Sequence, residues 1–193
     1  MSHPRHRFVW TCPTCGAWLP GYRPLLAEEA RKIAAAMPAP RVFFFDRLSR
    51  GALELAEACA KSGALIVFEP SGLGDEKLFN EAVALAHILK YSNERLGHMR
   101  RKWKDATPAL EIETMGGEPA LSSQEAGILR MVRAAPNQVT TLRDTAGAGD
   151  WCTAGILHGL GAIGSRGLAT AGTDTIETAL RLGRGSGGNQ VRL

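Results

Sequence analysis

Seven consecutive residues, Asp144-Thr145-Ala146-Gly147-Ala148-Gly149-Asp150, have the order and composition of a site for anion chemistry. Small residues from 146 to 149 allow a sharp backbone turn and let its N–H groups approach a ligand closely. The apolar pattern that follows, Trp151-Cys152-Thr153-Ala154-Gly155-Ile156-Leu157, predicts a helix. The first N–H donors of such a helix lack intrahelical partners, and its dipole is positive at that end. A phosphate or a developing oxyanion suits the place. Asp150 adds a carboxylate there, where like charge is unfavourable unless the group has a chemical task. Taking the proton of a hydroxyl that attacks a phosphoryl group is such a task. A plainer reading also fits: a Gly/Ala turn with Asp as an ordinary helix cap.

The elements that must position this turn are legible upstream. A helical period runs from Leu25 to Met37 and is closed by Pro38 and Pro40. Val42-Phe43-Phe44-Phe45-Asp46 is a short apolar run of the kind buried in a parallel sheet. Ser49 is an expected N-cap for a helix through Leu55 to Lys61, ended by Gly63. Ala64 to Pro70 predicts a second buried strand, Asp75 to Ala86 a third helix, and His87 to Ser92 and Leu110 to Thr114 two more strands. Strand alternating with helix implies crossovers and a mostly parallel sheet covered on both faces. Ligands of such sheets bind at the strands' C-terminal ends. The polar residues expected there are Asp46, Glu69, Ser92, Asn93, Glu94, Thr114 and Gly116.

The string 144–150 resembles the C-terminal signature of the ribokinase-like (PfkB) carbohydrate kinases. The resemblance implies an α/β ribokinase-like three-layer sandwich with a mostly parallel central sheet. It implies Asp150 as catalytic base and the backbone from Ala146 to Asp150, with Gly147, Ala148 and Gly149, as the anion hole for the transferred phosphoryl group. Ile88 to Glu94 resembles the segment that sets an Asn and a nearby Glu beside nucleotide phosphates and Mg²⁺, here Asn93 and Glu94. The family's frequent Asn-x-x-Glu spacing would put the acid at Leu96, so Glu94 departs from the pattern. Ile112 to Leu121 resembles the strand and turn carrying a nucleotide-binding Thr-x-Gly. Thr114, Gly116 and Gly117 would then line the ATP site together with Thr145. A simple hairpin turn at Gly116-Gly117 remains the alternative. The P-loop and protein-kinase signatures are absent.

By the same resemblance, residues 1–183 correspond to a partial kinase domain. The family's N-terminal third, with its first strands, lid and Gly-Gly sugar-binding motif, is expected to be missing. The glycine-rich end, 184–193, reads as a disordered tail. ATP and Mg²⁺ are the implied cofactors, and a nucleotide and a small alcohol, a sugar or nucleoside, the implied partners. A truncated, inactive homologue is the competing reading, and a homodimer stays open.

Residues 1–24 carry a second feature, Cys12-Pro13-Thr14-Cys15-Gly16. Two thiolates at this spacing can share one metal, which makes Cys12 and Cys15 half of a zinc site. No second CxxC or HxxxH accompanies them; His3, His6, a missing segment or another chain could supply the rest. A plain loop and a redox pair are the other readings. Cys59 and Cys152 fall in apolar helical patterns and are expected to act as small core residues.

Composition narrows the class. The chain has 193 residues with 45% apolar and 22% charged content, enough for a buried core and too apolar for disorder. A net charge of +4 is too small for a dedicated nucleic-acid binder. Arg100-Arg101-Lys102-Trp103-Lys104 nonetheless combines cations with an aromatic, as single-strand contacts do. With no signal-peptide pattern and no apolar run of spanning length, a cytoplasmic protein is expected.

Overall fold

The computed structural model describes residues 11–18, 21–103, 106–115, 118–125, 128–133 and 147–190. Local signals account for the helix boundaries. In helix α1, Ala27–Ala36, Glu29 Oε2 accepts from the Leu26 N–H at 3.2 Å. Helix α2, Arg50–Lys61, starts where Ser49 Oγ accepts from the Ala52 N–H at 3.0 Å. It ends before Gly63, whose φ of 90° a side chain would oppose. In α3, Glu76–Leu85, Asp75 caps through Oδ1 to the Leu78 N–H at 2.9 Å.

Strands β1 (Val42–Phe45), β2 (Leu65–Phe68), β3 (Ile88–Ser92) and β4 (Leu110–Met115) lie side by side and run parallel. Strands β5 (Glu118–Glu125) and β6 (Ile128–Arg133) continue the sheet antiparallel, giving six strands in sequential order. Strand β6 lies beyond the sequence expectation, and β5 is the returning strand of the hairpin kept as the alternative after Thr114. Strand β5 is polar and holds Pro119, a residue that argues against a central strand. Pro119 lies one position past the end of the β5–β6 ladder, whose terminal pair is Ala120↔Arg133.

Alternation along the strands feeds two cores. Ile66, Phe68, Leu89 and Tyr91 face α1, α2 and α3. Leu65, Val67, Ile88, Leu110 and Ile112 face α5 (Ala148–Gly161), α6 (Gly164–Thr170) and α7 (Thr173–Gln190). The result is the three-layer α/β sandwich expected. All of β2 is buried because both faces are covered. Phe45, Phe68 and Phe79 form an aromatic line with centroid spacings of 4.7 and 5.5 Å, each contact adding about 0.5–1.5 kcal/mol beyond burial.

Between β3 and β4 stand a four-residue helix α4 (Asn93–Leu96) and a 3₁₀ segment, Gly97–Trp103. Trp103 is 2% exposed and packs on Phe79 and Tyr91. An aromatic buried this way offers no face to a nucleic-acid base, which removes the stacking contact from that reading of residues 100–104. Helix α7 extends into the glycine-rich end of the chain, to Gln190. Its neighbour α5 explains why Gly183 belongs to the helix: a Cβ there would stand 2.4 Å from Cys152 O. Gly155 likewise approaches the Gly183 backbone, so missing side chains bring the two helices together.

Among the described residues no helix is long and apolar enough to cross a membrane.

Candidate active site at the C-terminal edge of the sheet

The four parallel strands end on one edge, at Asp46, Glu69, Asn93 and Met115. Helix α5 begins at that edge. Its N-cap is Gly147, with φ 75° and ψ −3°, a left-handed conformation that suits glycine and strains any L side chain. The Trp151 N–H closes the first turn on Gly147 O at 2.9 Å. The backbone N–H groups of Ala148, Gly149 and Asp150 precede the first intrahelical donor, the Trp151 N–H, and so have no acceptor within the helix. Gly149 and Asp150 are exposed.

Asp150 is therefore the third helical residue and not the cap. Gly147, as the N-cap, makes no side-chain capping bond. The Asp150 carboxylate stands beside the free N–H groups with no partner side chain among the described residues.

One turn into the helix, a buried polar network fastens α5 to the sheet. Thr153 Oγ1 lies 2.5 Å from Glu69 Oε2 and 3.0 Å from Gly149 O. A hydroxyl has one proton, and the short contact to the carboxylate takes it. The other oxygen of Glu69, Oε1, accepts from Lys90 Nζ. Lys90 is 3% exposed and Glu69 22%. A buried ammonium requires such a partner. Strand alternation explains the meeting. Leu65, Val67 and Glu69 on β2 share the face of Ile88 and Lys90 on β3, which is the face covered by α5. Glu69 was expected at this edge from sequence; Lys90 and Thr153 were not. The available signal was a lysine inside Ile88-Leu89-Lys90-Tyr91, an otherwise apolar buried strand.

A second group gathers where β3 and β4 end. Ser92 pairs with Thr114 in register, which brings Asn93 and Glu94 beside the end of β4. Thr114 Oγ1 donates to Tyr91 O at 3.3 Å. Thr114 follows Leu110 and Ile112 by alternation, so it shares the α5 face with Lys90. Asn93 Nδ2 donates to Glu113 Oε1 at 2.5 Å, on the other side of the strand. Gly97 makes room for that bond, since a Cβ there would fall 2.4 Å from Asn93 Nδ2 and 2.9 Å from Glu113 Oε1. Glu113 and Gly97 are members of the site that sequence reasoning missed. Glu94 is exposed on the first turn of α4. Thr145, Gly116 and Gly117, with Asp144, Ala146 and Arg143, lie outside the described residues.

Two further groups lie apart from this edge. His87 Nδ1 accepts from the Ile66 N–H at 2.9 Å, and burial lowers its pKa. Cys12 and Cys15 lie in an N-terminal turn, apart from both clusters, as free thiols.

The parallel sheet between two helical layers, with a glycine-capped helix at its C-terminal edge, is the ribokinase fold. The solved structures that share it are sugar and nucleoside kinases. A ribokinase from Giardia lamblia superposes with a TM-score of 0.67 at 16% identity, over 86% of this chain and 58% of that one. A fructokinase from Xylella fastidiosa, solved with bound ATP, gives 0.66 at 15%, over 94% and 63%. A nucleoside kinase from Burkholderia thailandensis, solved with inosine, gives 0.65 at 16%, over 86% and 54%. The chain thus spans little more than half the length of these neighbours. No protein-family model matches it, and no curated protein does.

Proposed function

We propose that this chain is the nucleotide-binding and phosphoryl-transfer part of an ATP-dependent kinase whose acceptor is a hydroxyl of a sugar or nucleoside-like molecule. The observation that carries this reading is the start of α5. A left-handed Gly147, the helix-start N–H groups at 148–150 and an Asp150 carboxylate without a partner among the described residues lie on the ligand edge of a fold shared with such kinases.

The chemistry follows from those parts. The acceptor oxygen attacks the γ-phosphorus of ATP, Asp150 takes the hydroxyl proton, and ADP leaves with the electron pair of the broken P–O bond. The N–H groups of Gly147, Ala148 and Gly149 stabilise charge on the moving phosphoryl group. Thr114, with Gly116, Gly117 and Thr145, would line the nucleotide, and Asn93 and Glu94 would face its phosphates.

Magnesium fits this edge as an ion held largely by phosphate and water. Among the described residues no group of three or more His, Cys, Asp or Glu gathers as an all-protein cage. Mg²⁺ typically needs only one or two carboxylates besides substrate oxygens and water. Glu94 and the Asn93–Glu113 pair are the donors within reach of that role, and the ion would neutralise the triphosphate. For a user of ATP the cytoplasm is the expected compartment.

A second reading is a catalytically inactive kinase homologue that binds nucleotide without turnover. Calorimetric titration with MgATP and MgADP separates these readings from no function at all. Saturable binding that is lost in Gly147→Val supports the site. A folded, monodisperse chain that binds neither nucleotide overturns it. Release of ADP in the presence of a sugar or nucleoside then distinguishes the active kinase from the binding-only homologue.

A further inference from the structure

The polar network under α5 does more than packing requires. In the first turn of the helix Gly149, Asp150 and Trp151 are exposed and Cys152 is half-buried. Thr153, 4% exposed, is the first buried side chain among those described there. From Gly155 onward α7 holds the helix from the side: a Cβ at Gly155 would run into the Gly183 backbone, and one at Gly159 into Ala179. Residues 149–151 precede that contact, and Thr153 is where the helix is first tied to the sheet.

Thr153 Oγ1 lies 3.0 Å from Gly149 O, the contact a helical threonine commonly makes with the preceding turn. Its proton goes instead to Glu69 Oε2, and Glu69 Oε1 accepts from Lys90 Nζ. Lys90 stands in β3, three residues before Asn93, and the pair Ser92↔Thr114 sets Asn93 beside the end of β4. The bonds therefore run from the start of α5, where a moving phosphoryl group would be met, to the strand that ends at the residues assigned to the nucleotide phosphates. A valine at 153 would fill the same space and leave the carboxylate without that donor. Buried ionic groups replaced by apolar packing are often no less stable. What the hydroxyl supplies is one direction and one length.

We propose that Thr153 is a positioning residue for phosphoryl transfer. Its bond to Glu69, anchored through Lys90 in β3, holds the N–H groups of residues 148–150 in register with the phosphate-facing end of that strand. Thr153 acts through the backbone of Gly149 and Asp150. A donor displaced by a fraction of an ångström still binds nucleotide but no longer matches the charge that develops in the transition state. This inference rests on the kinase reading.

The test uses the full chain and needs no acceptor. MgADP is titrated by calorimetry with and without aluminium fluoride, a mimic of the phosphoryl group in transfer, so the gain in affinity reads the helix-start N–H groups apart from the other nucleotide contacts. The unaltered chain is expected to gain at least about 100-fold, as enzymes do with transition-state mimics. Thr153→Val is expected to lower that gain roughly 10- to 100-fold, the effect of a small misplacement. Its MgADP affinity and thermal midpoint are expected to stay unchanged. Thr153→Ser, which keeps the hydroxyl, is expected to restore the gain. An undiminished gain in Thr153→Val overturns the proposal. So does a loss shared by MgADP affinity and the thermal midpoint, which marks a structural role alone, or one that Thr153→Ser does not restore. An unaltered chain that binds no MgADP overturns the kinase reading itself, and one that binds MgADP without gain overturns its phosphoryl-transfer part. The positioning role falls with either.

Discussion

Thr153 and Glu69, 84 residues apart in the chain, meet with Oγ1 2.5 Å from Oε2. Glu69 belongs to the end of β2 and Thr153 to the second turn of α5, so this contact sets where the helix begins relative to the sheet edge. Because Thr153 follows Asp150 by three residues, it lies on the neighbouring helix surface and fixes the position of the first turn. Lys90, on the far side of Glu69, orients the carboxylate.

Breaking that network from its two ends is expected to give unequal losses. Glu69→Gln leaves the Lys90 ammonium buried without a charged partner, a change of about 3–5 kcal/mol in comparable pairs. Lys90→Met costs less, because Glu69 retains 22% exposure and can draw on water and Thr153. Urea unfolding of both variants and of the double variant measures the order. Equal losses, or a more stable Glu69→Gln, would contradict the burial asymmetry.

Asp150→Asn is expected to leave folding and nucleotide affinity intact and to lower turnover ~100- to 10,000-fold, the range attributed to a general base. Asp150 is exposed and is not the N-cap residue, so structural loss is not anticipated. Coupled assay of ADP release, with binding measured in parallel, decides it. Near-normal turnover in the variant would remove Asp150 from the mechanism.

His87 predicts an acid-side loss of stability. Its Nδ1 must be unprotonated to accept from the Ile66 N–H, and burial lowers its pKa below the unfolded value of about 6.5. The unfolded chain therefore binds the proton more readily. The contribution is complete above pH 6.5 and is lost as pH falls through the lowered folded value. Denaturation midpoints taken from pH 8 downward are expected to decline below about 6.5, and His87→Gln to flatten that decline. An identical slope in the variant would assign the effect to other groups.

Gly155→Ala tests the contact between α5 and α7. A Cβ at 155 would stand 2.2 Å from the Gly183 Cα and 2.5 Å from its nitrogen, and backbone cannot rotate away. Separation of the helices is expected to cost about 1–3 kcal/mol, as overpacking does. Thermal unfolding reads the loss, while Gly172→Ala, where a Cβ meets nothing within 4 Å, serves as the matched control.

Much of the architecture is written in local chemistry. Apolar runs at 42–45, 65–68 and 88–92 become adjacent parallel strands because helices cover both of their faces. Ser49, Gly63 and Asp75 bound their helices as their side chains, or the lack of one, dictate. The turn 144–150 was read in the same local way, and from Gly147 onward it leads into α5. Pairings between distant residues have no such local mark. That Lys90 would meet Glu69 and Thr153, that Asn93 would be taken by Glu113, and that Trp103 would be buried depended on strand register and helix packing. The same holds for β5, whose polar sequence is a strand only because β4 and β6 satisfy its backbone, and for the glycines of α7, which stay helical against α5. Propensity and caps act over a few residues and can be read in order along the chain. Which side chains share one face of the sheet is settled only when the strands assemble.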